Sequence, residues 1–332
     1  MEDKRRNYLF DNLKVLLIVL VVLGHALKNI DNDIVLRSIY ILIFMFHMPL
    51  FIFISGYFSK NVDKCRNNAV KQLLIPFIVF NIIWYASVGN FKFPLYSAGW
   101  TLWYILSLFF WRFFLKNIIK IKWILGLSIV LGLLVGIVDK YGSILSFSRT
   151  FAFLPFFLVG YYSDNSTINK IKAFPKVISI LGLTSIGVLA FSIANYNLLD
   201  YKFLYMAQPY ESTGLGVVQG ILLRAIFYLL AIAMSSFVIN LVPRRKLAFS
   251  KLGASTMVIY LGHIYMLKFL NGFIPTFNSS FANLGITLVY SILICVVLSL
   301  PIFTKLYNAV FGNFNYVLDR LYGKAKSITT NT

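Results

Sequence analysis

Three histidines and two arginines stand where water is scarce. His25, His47, His263 and Arg224 each fall inside a long apolar run, and Arg149 stands at the mouth of another. An ionisable group at membrane depth is costly, and where it is kept it marks a polar chamber or pathway. Histidine takes and returns a proton near neutral pH, and burial favours its neutral, proton-accepting form. An arginine beside it stabilises a developing oxyanion or binds an anionic ligand. A lone buried histidine is more often a satisfied interhelical hydrogen bond than a catalyst, and His47 and His263 are read that way first. For His25 the surrounding helix reverses the preference. The three histidines come singly from three runs, without the His-x3-His spacing of a metal site, so no metal is expected.

The elements that must position these groups are membrane helices. The chain has 332 residues, 59% of them hydrophobic, with a mean hydropathy of +0.79. Several apolar runs approach the ~20 residues that cross a ~30 Å hydrocarbon core. The expected class is all-α, a polytopic integral membrane protein of about ten spans, near 12–28, 38–59, 70–89, 97–115, 121–138, 149–163, 174–193, 216–240, 253–270 and 282–303. Spans four and six are short or interrupted, the sixth by Pro155 and Gly160. Of the 31 Lys and Arg, 23 fall on one alternating set of connections, 6 on the other, and Arg224 and Lys268 lie within spans. That asymmetry predicts both termini in the cytoplasm. The same alternation argues against nucleic acid, despite a net charge of +20, because the charge forms no single patch.

Residues 1–332 read as one domain, with spans over 12–303, a cytoplasmic tail over 304–332 and no fused extracytoplasmic domain. The basic start is read as leading into a retained first helix, since Leu23–Lys28 offers no cleavage site. Cys65 and Cys295 form neither a disulfide framework nor a metal pair. No internal repeat is evident. The stretch after Phe303 suits an interfacial amphipathic helix. The longest outer connection, about 194–215, carries Asp200, Lys202, Tyr210 and Glu211 and is either a lid or recognition loop or a solvated connection.

Helix rise places the polar groups. Lys14 to His25 spans about 16 Å; His47 lies about 13 Å below the outer surface, Arg224 about 12 Å, and His263 about 15 Å above the inner one. All four intramembrane groups sit near or somewhat outside the midplane, as lining of one polar chamber would. Lys14 and His25 share a face of the first helix, because eleven residues are close to three turns. Asp11 is read as an N-cap, a partner for Lys14 or a support for catalysis. Tyr260 and Trp103 are candidate chamber-lining residues. Most Tyr and Trp read as the interfacial belt, although Trp100, Trp103, Tyr104 and Tyr161 could also stack on a sugar.

Five stretches together resemble the acyltransferase-3 family of membrane acyltransferases. They are Asp11–His25, carrying Lys14-x10-His25; Phe46–Phe58; Leu102–Arg112; Ser148–Tyr161; and Leu252–His263. They run in family order, and within the family the chain is most similar to the fucose-4-O-acetylase-like sugar acetyltransferases. The resemblance implies that an acyl-coenzyme A, usually acetyl-coenzyme A, donates from the cytoplasm to a hydroxyl on a surface polysaccharide or its lipid-linked glycan precursor. It implies that His25 is essential and that Lys14 fills the basic motif position. The ~16 Å rise from Lys14 to His25 is comparable to an extended phosphopantetheine arm, so Lys14 could hold the donor's phosphates. His25 would act as base, with Arg149, Arg224 or Asp11 in support. The donor is a substrate, no cofactor is permanently bound, and the location is the cell membrane, among lipids. Two other classes remain open: an exporter of lipid-linked sugar, and a non-catalytic subunit of a polysaccharide synthase.

Overall fold

The computed structural model describes residues 7–28, 31–91, 96–138, 142, 144–270 and 272–312. The described residues are helical, with one isolated β-bridge between Ser97 and Ile144. Helix α1 runs Tyr8–Ala26 and α2 Ile34–Tyr57. Next come α3 (Val62–Ala69), a π-helical turn over Val70–Leu74, and α4 (Ile75–Ser87). The following helices are α5 (Trp103–Ile118), α6 (Ile124–Leu134), α7 (Phe147–Tyr162), the short α8 (Asn165–Ala173) and α9 (Lys176–Tyr196). The last three are α10 (Val217–Leu241), α11 (Thr256–Leu270) and α12 (Ser280–Leu298).

Six helical stretches are long and apolar enough to cross a membrane: α1, α2, α3–α4 taken together, α9, α10 and α12. Every one of the ten apolar runs in the sequence is at least partly helical. Residues 301–312 continue as helix after Pro301, while the remainder of the predicted tail helix lies outside the described residues.

Helix α2 is the hub, packing on α1, α7, α9 and α10. Its start is set by Asp33, whose carboxylate accepts from the amides of Val35 and Leu36 at 3.0 Å each. Its crossing with α7 is set by two glycines. A Cβ added to Gly56 would overlap the Phe157 carbonyl oxygen, and one added to Gly160 would overlap that of Phe53. In lipid, where apolar surface gives helices little reason to prefer each other over acyl chains, close backbone approach is a main source of packing energy. Gly160→Ala is therefore expected to cut the yield of monodisperse protein severalfold in fluorescence-detected size exclusion, while Gly187→Ala, facing open space, leaves it unchanged.

The sixth span is not broken. Helix α7 continues through Pro155, which has no N–H for the Phe151 carbonyl. Neighbouring helices support the carbonyls on either side: Trp111 Nε1 donates to Thr150 O at 3.0 Å and the Tyr228 hydroxyl to Ala152 O at 2.5 Å. Such support lets proline sit inside a membrane helix. The irregular turn lies in the third span instead, at the π stretch before Pro76.

The N-terminal end of α1 is tied to the chain by Asn12. Its amide donates to Pro243 O (2.9 Å) and Arg245 O (3.0 Å) and accepts from Ser250 Oγ (2.6 Å). These bonds hold the segment before α11 against the turn that carries Asp11 and Lys14. Asp11 sits within the first turn of α1, and Asn7 occupies the N-cap position instead.

Candidate active site

His25 lies in the last turn of α1. The preceding Gly24 lets Phe44 of α2 approach, since a Cβ there would already stand 3.0 Å from the Phe44 ring. Phe44 meets His25 edge-on, with centroids 6.2 Å apart, and His47 at 4.8 Å. Trp100 meets His25 edge-on from another side, at 5.8 Å. The His263 ring of α11 lies 5.5 Å away, with the two planes tilted by 30°.

A central cavity of about 50 Å³ is lined by His25, His47, Trp103, Arg149, Tyr205 and Tyr260, among others. That is room for a few waters. Arg149 is fixed in its wall by a hydrogen bond from Nε to the Tyr205 carbonyl (3.1 Å) and by the Trp103 ring, 5.1 Å below the guanidinium. The Tyr205 hydroxyl is 2.6 Å from that of Tyr40. Among the described residues lining this cavity there is no Asp or Glu. A base and a fixed cation therefore share one small space with no carboxylate in its wall.

Two larger cavities flank it along α1. Towards the N-terminal end, about 190 Å³ is lined by Lys14, Ser55, Phe58, Tyr104, Arg112 and Tyr260. The Lys14 ammonium lies 4.8 Å over the Phe58 ring, and Arg112 Nε donates to Ser59 Oγ at 3.2 Å. Tyr260 belongs to both this cavity and the central one. Its hydroxyl donates to the Thr101 carbonyl, and its ring packs 5.2 Å from Tyr104, whose hydroxyl is 2.6 Å from Ser55 Oγ. Towards the C-terminal end of α1, about 400 Å³ is lined by His25, Lys28, Trp84, Trp100 and Lys268. His25 belongs to both this cavity and the central one. The three spaces follow one another, with Tyr260 as one partition and His25 as the other.

The long connection after α9 forms part of the roof. A 3-10 turn over Tyr201–Tyr205 brings Leu204 and Tyr205 to the central cavity. Tyr201 donates to Asp31 at 3.0 Å, and burial, with that carboxylate beside it, pushes the phenol up to about 12. Tyr210, 1% exposed, sits against Gly136 and Gly220, where any side chain would strike its ring. Of the readings open for this connection, a wholly solvated one does not hold, since Phe203, Leu204, Met206 and Tyr210 are buried.

The structure brings His25, His47, Arg149, Trp103 and Tyr260 into one wall, sets His263 against His25, and places Lys14 in the adjoining cavity. Arg224 and Asp11 join none of these walls. Arg224 is buried with the roof, where Nη1 donates to Gly132 O (3.0 Å) and the guanidinium covers Tyr210 at 4.5 Å. Both contacts lie within the packing of the roof. Arg224→Leu is expected to lower the unfolding midpoint of purified protein by several degrees, since an abandoned buried carbonyl costs about 1–3 kcal/mol, and to leave the rate per folded molecule within about twofold. A thermal-shift series paired with activity per monodisperse protein checks both. Asp11 packs its backbone on Gly253, at the opposite end of α1 from His25.

Arg112, Tyr40, Phe44, Tyr205 and Trp84 contribute to the site and were not singled out as site residues by the sequence. Arg112 had a signal, as a cation inside the aromatic run Phe109–Phe114 of α5. Tyr40, Phe44 and Tyr205 had none, being lost among 32 Phe and 20 Tyr.

A sequence profile described as an acyltransferase domain matches residues 7–300. Among curated proteins, a nodulation protein, NolL, of Sinorhizobium fredii is 27% identical over 296 residues, covering 77% of this chain and 76% of that protein. The nodulation protein NolL of Mesorhizobium japonicum is 38% identical over 90 residues, 24% of each chain. No solved structure matches.

Proposed function

The chain belongs to the acyltransferase-3 family, and from that premise we propose that it is an O-acyltransferase of the cell membrane, most simply an O-acetyltransferase. Its donor is acyl-coenzyme A in the cytoplasm, and its acceptor is a hydroxyl of a surface polysaccharide or lipid-linked glycan. The observation that carries this reading is the row of three cavities along α1, with His25 shared by the central and outer ones and Tyr260 by the central and inner ones.

The charge asymmetry of the connections puts Lys14 and both termini on the cytoplasmic side. Lys14, with Arg112, holds the phosphates of the donor. The pantetheine arm rises along α1 past Tyr260, which must release Thr101 to let it through. The acceptor hydroxyl comes from the outer cavity, where Trp84 and Trp100 offer faces for a sugar ring. His25 takes the hydroxyl proton as the oxygen attacks the thioester carbon. The tetrahedral oxyanion forms beside Arg149. When it collapses, the C–S bond breaks and His25 returns the proton to the departing thiolate. The products are an ester and coenzyme A, and the thioester supplies the driving force.

The test is transfer in reconstituted vesicles. Radiolabelled acetyl-coenzyme A is offered on the Lys14 side and a glycan acceptor on the other, with wild-type and His25→Ala protein at matched levels. Ester formation by the wild type alone supports the reading. No label transfer by either protein defeats it. A row of cavities across the fold also suits an exporter, and movement of lipid-linked glycan without donor consumption would favour that function instead.

A further inference from the structure

A base normally has a partner that orients it and shares the charge it acquires, and in the serine hydrolase triad that partner is a carboxylate. His25 has no carboxylate among the described residues lining its central cavity, and Arg149 is already a cation there. Protonating His25 without compensation would place two positive charges in one small space.

His263 offers the compensation. It is fully buried, at 0% exposure. Its Nδ1 lies 2.7 Å from the Tyr260 carbonyl oxygen. A carbonyl only accepts, so Nδ1 carries the hydrogen and Nε2 of the neutral ring is a bare acceptor. That Nε2 is buried and has no hydrogen-bond partner in the protein. A buried polar atom left unmet calls for a reason. The His25 ring, 5.5 Å away centre to centre, is within reach of one hydrogen bond or one bridging water. His47 likewise turns Nδ1 to a carbonyl, that of Ile43 at 2.7 Å, but the Phe44 ring lies against both it and His25, and its Nε2 is not among the buried atoms left unmet.

We propose that His263 is a positioning residue for His25, its Nε2 accepting the hydrogen of one His25 nitrogen so that the other nitrogen faces the acceptor hydroxyl. The inference rests on the transferase reading above. In the reaction His25 gains the hydroxyl proton on the substrate-facing nitrogen. The hydrogen on its other nitrogen is given to His263 Nε2, which spreads the charge over two rings. The first proton then leaves with the thiolate, and both rings return to their starting state.

The chain has three histidines, so its imidazole nitrogens can be read individually. Full-length protein labelled with 15N-histidine is reconstituted in lipid nanodiscs, and the rings are assigned with His47→Gln and His263→Gln variants. The expected result is a neutral His263 with its hydrogen on Nδ1 and an Nε2 resonance shifted by hydrogen bonding, a shift abolished in His25→Phe. A hydrogen on Nε2, or an Nε2 resonance indifferent to His25→Phe, overturns the proposal without any activity measurement. Kinetics supply the second arm. His263→Leu should lower turnover about 10²-fold with the KM for acetyl-coenzyme A unchanged, and His263→Gln, which keeps an acceptor, should recover about tenfold of that loss. Equal losses in the two variants, or wild-type turnover in His263→Leu, would also overturn it. Wild-type turnover in His25→Ala would instead remove the transferase reading itself.

Discussion

His25→Ala is expected to lower acyl transfer by about 10²–10⁴-fold without weakening donor binding. A sugar hydroxyl is almost wholly protonated at neutral pH, so its attack needs a base within hydrogen-bond reach. Among the described residues, His25 is the histidine common to the central and outer cavities. His47 lines the central cavity but not the outer one, and Phe44 lies against its ring. The Lys14 cavity does not include His25, so donor affinity should survive. Equilibrium binding of acetyl-coenzyme A to purified variant, set beside turnover, separates the two effects. A parallel loss of both would mean that His25 holds the donor rather than doing chemistry.

The second large effect is expected at Arg149. Removing one donor to a developing oxyanion commonly costs about 10²–10³ in turnover, and Arg149→Ala should fall in that range. The position is held at two points, by Tyr205 O through Nε and by the Trp103 face, so the guanidinium is pre-set before substrate arrives. Arg149→Lys keeps the charge and loses the planar fork. It should recover less than a tenth of wild-type turnover, whereas a merely electrostatic requirement would let lysine restore most of it. Steady-state kinetics with donor and acceptor each varied make the distinction: an oxyanion role lowers kcat, and an acceptor-anion role raises the acceptor KM.

Much of the architecture was legible because a bilayer imposes its own order on a chain. Apolar length, the alternation of Lys and Arg, and the spacing of Lys14 and His25 are local quantities, each decided by helix geometry or by the cost of charge in hydrocarbon. Pro155 shows where local reading stops. By itself it reads as a break, yet Trp111 of α5 and Tyr228 of α10 bond the carbonyls around it and the helix runs on. The opposite holds at Val70–Leu74, where nothing in the composition signals the π turn that the structure places there.

The sequence alone determined which ionisable groups fall inside long apolar runs: His25, His47, His263 and Arg224 each have an expected depth readable from their position along a helix. Depth is one coordinate, and the direction in which a side chain faces around the bundle is another. Helices α1, α2 and α7 turn His25, His47 and Arg149 towards one space and α11 sets His263 against His25, while α10 turns Arg224 towards Gly132 and Tyr210. Only tertiary packing decided that division, since it depends on which helices are neighbours. Gly24, Gly56 and Gly160 set how closely those neighbours stand.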